Sequence, residues 1–126
     1  MRKVLSASLL MLASASSAAT SFDARVVAAE AAIARPGGFA YDTALVPAIH
    51  AAVAPCVPAG SDPARGGGFV LVADVDAQGR LHAVDVRPAS PIARCFAQRF
   101  GAMRLHGPPG PASRTWPILV RMQTHR

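Results

Sequence analysis

Apolar positions recur along this chain in two rhythms, and each stretch predicts an element. Leu45, Ile49, Ala52, Val53 and Cys56 share one face at helical spacing, as do Ile92, Cys95, Phe96, Phe100 and Met103. Phe69–Val75 and Arg80–Arg87 are rich in β-forming residues and flank the turn sequence Asp76-Ala77-Gln78-Gly79, which predicts a β-hairpin. Leu81 breaks the alternation that Val84 and Val86 keep, so a bulge is expected near His82-Ala83. Trp116, Ile118, Val120 and Met122 alternate with Thr115, Pro117, Leu119 and Arg121, the pattern of a strand with one buried face. Pro117 cannot donate to a ladder, which places that strand at a sheet edge or its start beyond the pairing.

Stop and start signals bound these elements. Phe22, Val26, Ala29 and Ile33 have helical spacing, and Pro36-Gly37-Gly38 ends that segment. A second helix is expected over roughly Thr43 to Ala54, with Pro47 allowing a start as late as Val46 and Pro55 and Pro58 ending it. Ser90-Pro91 is an N-cap followed by proline at the first helical position, opening a helix that runs to about Met103. Gly66-Gly67-Gly68 leads into a strand rather than a helix and lacks Lys-Ser/Thr, so it is a linker and not a phosphate loop. The element order predicts an α+β fold: a small antiparallel three-stranded sheet (β-β-α-β) with helices packed on one face, preceded by one or two N-terminal helices. Residues 20–42 are expected to form a helical segment and linker, and residues 43–124 the α+β domain.

The first 19 residues have a different character. Arg2 and Lys3 precede the apolar run Val4–Ala15, and Ser17-Ala18-Ala19 offers small residues for cleavage between Ala19 and Thr20. These are the three parts of a secretory signal peptide, and the run is shorter than the ~20 residues that a spanning helix needs. The expected location is therefore the periplasm, with no membrane span once the signal is removed. The formal net charge of +6 falls to about +4 without Arg2 and Lys3, and every remaining cation is arginine. No basic block with interleaved aromatics occurs, so nucleic acid is not an expected partner. Hydrophobic residues make up 52% of the chain but aromatics only 6%, which predicts a thin core that would gain from a covalent staple.

Cys56 and Cys95 are the only cysteines, and both lie on the apolar stripes of their helices. An even count in an exported chain reads as a disulfide; a reactive thiol and two free core thiols are the alternatives. Neither cysteine has a histidine base placed beside it, and Cys-X-X-Cys is absent. Closing a loop of this size is worth about 4 kcal/mol on a chain-entropy argument.

Catalytic chemistry finds little support. The histidines, His50, His82, His106 and His125, show no i, i+3 or i, i+4 pairing for a metal, and no Gly-X-Ser-X-Gly elbow occurs. Asp74 and Asp85 are placed to approach across the hairpin, without a cleft in the pattern to serve them. No catalytic residue, metal or cofactor is expected. An enzyme would require His50, His82, Asp74 and Asp85 to converge.

The segment from Ala48 to Met122 resembles the carboxy-terminal domain of the TonB family, most closely its cysteine-bearing AgmX/PglI-type relatives. The resemblance rests on "AIHAAVAPC" ending in Cys56, the hairpin "GGGFVLVADVDAQGRLHAVDVRPAS", "PIARCFAQRF" with Cys95, and "TWPILVRM". Val57 and Arg104-Leu105-His106-Gly107-Pro108 depart from residues common in those relatives. The resemblance implies a β-β-α-β fold and a module that binds protein. An exposed edge at Thr115, Trp116, Ile118 and Val120 would supply a route, since an edge strand accepts an extended peptide by β-strand addition. The alternatives are an edge blunted against pairing by Pro117 and Arg121, and Trp116 as core filler rather than contact residue. The functional expectation is an exported, non-enzymatic periplasmic protein that binds a periplasmic or outer-membrane protein or peptide, as a monomer or weak homodimer. A small secreted enzyme, an enzyme inhibitor or a purely structural envelope protein are the alternatives.

Overall fold

In a computed structural model of the chain, residues 20–59 and 67–123 are described; the expected signal peptide, Ala19 of the expected cleavage site and Gly66 of the glycine run lie outside them. Ser21 caps the first helix, α1 (Phe22–Ile33), its hydroxyl accepting from the Ala24 amide at 3.2 Å. Pro36-Gly37-Gly38 then makes a corner rather than a linker. Gly37 takes φ +77°, and a Cβ on Gly38 would stand 2.1 Å from the Ala32 carbonyl oxygen, so the chain turns where only glycine fits. A further helix, α2 (Gly38–Ala44), follows where the sequence predicted a linker. Leu45 separates it from α3 (Val46–Val53), which carries Pro47 in its first turn and ends in a 3-10 turn over Ala54–Cys56. Pro47 lacks the amide needed to continue from α2, so two short helices form instead of one.

The strands are β1 (Phe69–Val75), β2 (Leu81–Arg87) and β3 (Trp116–Met122), with α4 (Pro91–Gly101) between the last two. The sheet order is β2-β1-β3, antiparallel throughout. The class is α+β with a small three-stranded antiparallel sheet, as predicted. The bulge falls where it was expected: Val72 pairs with Asp85 and Asp74 with His82, leaving one extra residue in β2, and Ala83 has φ +51°. Ser90 caps α4, accepting from the Ala93 amide at 3.2 Å, with Pro91 at the first turn.

Phe69, Leu71, Ala73 and Val75 of β1 face a core completed by Ala93, Phe96 and Phe100 of α4 and by Trp116, Ile118 and Val120 of β3. Phe96 and Phe100 are fully buried and stack at 5.2 Å, and Phe96 meets Phe69 at 5.4 Å. Cys56 and Cys95 form a disulfide, with Cα atoms 5.7 Å apart, joining the end of α3 to α4. No buried side-chain polar atom among the described residues lacks a partner.

The sequence pattern assigned no face to the N-terminal helix. In the structure α1 lies across the face opposite α4. Its Arg25 pairs with Asp74 at 3.8 Å, its Glu30 with Arg121 at 2.5 Å, and the ring of Phe22 lies under Arg87 at 4.6 Å. Asp74, Arg121 and Arg87 all project on the face opposite Phe69, Leu71 and Ala73, by their register with β1. The cause is in β1 itself: Val70 and Val72 make its second face apolar too, and Val72 is only 1% exposed. A strand apolar on both faces needs cover on both. No helix among the described residues is long and apolar enough to cross a membrane.

Candidate functional site

The two edges of the sheet are built differently. Strand β2 carries the bulge, and the Ala83 carbonyl within it accepts from the Arg25 guanidinium at 2.6 Å. A bulge twists an edge away from further pairing. Strand β3 has no bulge and pairs continuously with β1, from Phe69↔Met122 to Val75↔Trp116. Among the described residues no backbone hydrogen bond reaches β3 from outside the sheet. A proline inside a paired strand is tolerated where its nitrogen faces away from the neighbour. Pro117 therefore removes one donor from the outer edge and leaves the others in place.

Of the residues predicted to form this edge, Thr115 is exposed and precedes β3, whereas Trp116, Ile118 and Val120 are 7%, 4% and 5% exposed. Their side chains belong to the core. What β3 offers at its edge is backbone, flanked by the partly exposed Pro117 and Leu119 and the exposed Arg121. Strand alternation carries this signal: if one set of a half-buried strand faces the core, its neighbours face away.

At the start of β3 the edge meets a groove of about 350 Å³. It is lined by Arg35 and Pro36 after α1, by Pro109 and Pro111 in the connector, and by Arg114 and Trp116. The Arg35 guanidinium lies 4.4 Å from the centre of the Trp116 ring, a cation–π contact. Tyr41 meets the same indole edge-on at 6.4 Å. Its hydroxyl donates to the His106 carbonyl at 2.8 Å, and burial pushes its pKa up to about 12. Trp116 is thus a core residue that also floors a groove.

The residues that an enzymatic reading would need to converge do not do so. Asp74 and His82 are opposite across the hairpin, but Asp74 takes Arg25 while the His82 Nε2 lies 2.7 Å from Asp76 Oδ2. Asp85 is paired with Arg87 at 3.8 Å, and His50 is exposed on α3. Asp76 has the turn role that the sequence Asp76-Ala77-Gln78-Gly79 predicted. Its Oδ1 accepts from the amides of Gln78 and Arg80, each at 2.9 Å, and with His82 these bonds hold its pKa below the ordinary carboxylate value, the His82 bond contributing most. Both of its oxygens are engaged in holding the hairpin turn. Arg104 extends this grip by donating from Nε to the Gln78 carbonyl at 2.9 Å, and the Leu105 amide donates to the Gly79 carbonyl at 2.8 Å. No cluster of three or more His, Cys, Asp or Glu residues suited to a metal occurs among the described residues.

Compared with protein-family models, with curated proteins and with solved structures, the chain finds no match in any of the three.

Proposed function

We propose that this protein is an exported, disulfide-stapled periplasmic module, similar to TonB carboxy-terminal domains, that binds an extended segment of a partner protein by strand addition to β3. The observation that carries the reading is the contrast between the edges. Strand β3 is regular over seven residues and receives no outside backbone bond among the described residues, while β2 is bulged. Strand addition draws its affinity from such a row of main-chain groups and needs no catalytic apparatus. The buried set Trp116, Ile118 and Val120 keeps the strand rigid for this purpose, so the edge is preorganised before a partner arrives.

Site-specific photo-crosslinking of the full chain in a bacterial host tests the reading. A cross-linking residue at Thr115 or at Gln123, exposed positions at opposite ends of β3, should capture the same envelope protein. The same residue at His50 on α3 should not. Capture at neither end, or equal capture at His50, would sink the strand-addition reading. Intact mass of the periplasmic fraction tests export in parallel: the expected chain begins at Thr20 and is alkylated only after reduction.

A further inference from the structure

We infer that the groove at the start of β3 is a carboxylate pocket, and that it selects a peptide ending in a free carboxy terminus. The direction of the peptide rests on the strand-addition reading; the pocket rests on the groove itself. Three of the described arginines have an acid of their own: Arg25 has Asp74, Arg87 has Asp85 and Arg121 has Glu30. Arg35 and Arg114 are among the six described arginines that form no ion pair with a described residue, and they are the two that line the groove at the start of β3.

Apart from the two arginines and Thr115, the lining is proline, glycine and the Trp116 ring. Pro36, Pro109 and Pro111 are already restricted in φ, and the Trp116 ring is held between Arg35 and Tyr41. Two guanidiniums over a rigid apolar floor suit a carboxylate on a short apolar stem, because guanidinium binds carboxylate through two parallel bonds. Stacked on the indole, Arg35 has less freedom to lose when it binds.

Strand direction says which carboxylate it is. Strand β3 starts at Trp116 and runs to Met122, so a peptide added antiparallel to it brings its carboxy-terminal end to Trp116. A peptide added in parallel would bring its amino terminus there, and a cationic end would meet two cations. The charge of the groove therefore also selects the antiparallel orientation, the pairing that is the more stable per residue.

The test is a selection from two random peptide libraries, one displayed with free carboxy termini and one with the same peptides fused at that end. The fluorescence of Trp116, the only tryptophan, then reads the binding of recovered peptides as synthetic acids and as their amides. Expected are enrichment from the free-carboxylate library alone and a loss of about tenfold or more on amidation, the scale of a charge-assisted hydrogen bond. Arg35→Gln and Arg114→Gln should each cost a similar factor against the acid and little against the amide, and Arg99→Gln, on α4, should cost nothing. No enrichment from the free-carboxylate library, or peptides indifferent to amidation, would overturn the pocket. If amidation matters but cross-linking at Gln123 captures nothing, the pocket stands and strand addition falls.

Discussion

The two faces of the sheet are held by different physics, although one strand supplies both. On the face toward α4, β1 contributes Phe69, Leu71, Ala73 and Val75 to a layer that includes Phe96 and Phe100, and the disulfide ties α4 to the end of α3. On the face toward α1 it contributes Val72 and Asp74 to a layer of Ala29, Arg25 and Glu30, where the cover is alanine and the ties are ion pairs. Burial of large side chains is worth about 1.5–3 kcal/mol each, whereas exposed ion pairs give about 0–1 kcal/mol. Stability is therefore concentrated on the α4 face, and α1 is a lighter cover whose polar ties salt can weaken.

The largest expected effect is on the α4 face. Replacing Cys56 and Cys95 together with alanine should lower unfolding stability by about 4 kcal/mol, read from denaturant or thermal unfolding, because the bridge closes a loop with a sequence separation of 39 residues. Retention of the parent stability would mean that the layer of Phe69, Phe96 and Phe100 carries the face unaided. Next comes a probe of the lighter face. Val72→Ala should cost about 2 kcal/mol, since Val72 is buried although it lies outside the main core. A cost below about 0.5 kcal/mol would show that α1 does not cover this face in solution.

How much of this was legible beforehand follows the same division. Features set by a few neighbouring residues could be read directly: the Ser90-Pro91 cap, the turn before Gly79, the extra residue at Ala83, and the two stripes that carry Cys56 and Cys95 to a common core. Features set by distant parts of the chain could not. Helix α2 has no apolar stripe of its own: it buries Tyr41 but leaves Phe39 72% exposed. For α1 the stripe of Phe22, Val26, Ala29 and Ile33 marked the inner face, all four being buried or half-buried, but not the side of the sheet that it covers. The apolar character of Val70 and Val72 was the signal that pointed to a second layer. At the candidate site the edge strand was readable from Pro117. The groove was not, because it joins Arg35 to Arg114 across most of the chain.

A third prediction concerns the corner where the two layers meet. Tyr41→Phe should cost about 1 kcal/mol at neutral pH through loss of the bond to the His106 carbonyl. Burial raises the Tyr41 pKa from 10.0 to about 12, so the folded state favours the neutral phenol. The unfolded chain ionises first, and the stability tied to the neutral form is complete below pH 10 and lost as pH rises toward about 12. The gap between parent and Tyr41→Phe should close over that window. An unchanged gap would place the hydroxyl in water.

The smallest effect tests how the lighter face is tied to the bulge. Ala83 holds φ +51°, a left-handed conformation that costs an alanine about 1–2 kcal/mol and a glycine nearly nothing. Glycine brings a backbone-entropy cost of roughly 0.5–1 kcal/mol, so Ala83→Gly should stabilise by about 0.5 kcal/mol. The Ala83 carbonyl is also the acceptor for Arg25, and the strained residue thereby anchors the first turns of α1. Removing that anchor with Arg25→Gln should leave the gain from Ala83→Gly in place if the left-handed geometry belongs to the hairpin. A gain that disappears in the double variant would instead mean that α1 imposes the geometry, making the lighter face a determinant of the β2 edge rather than its cover.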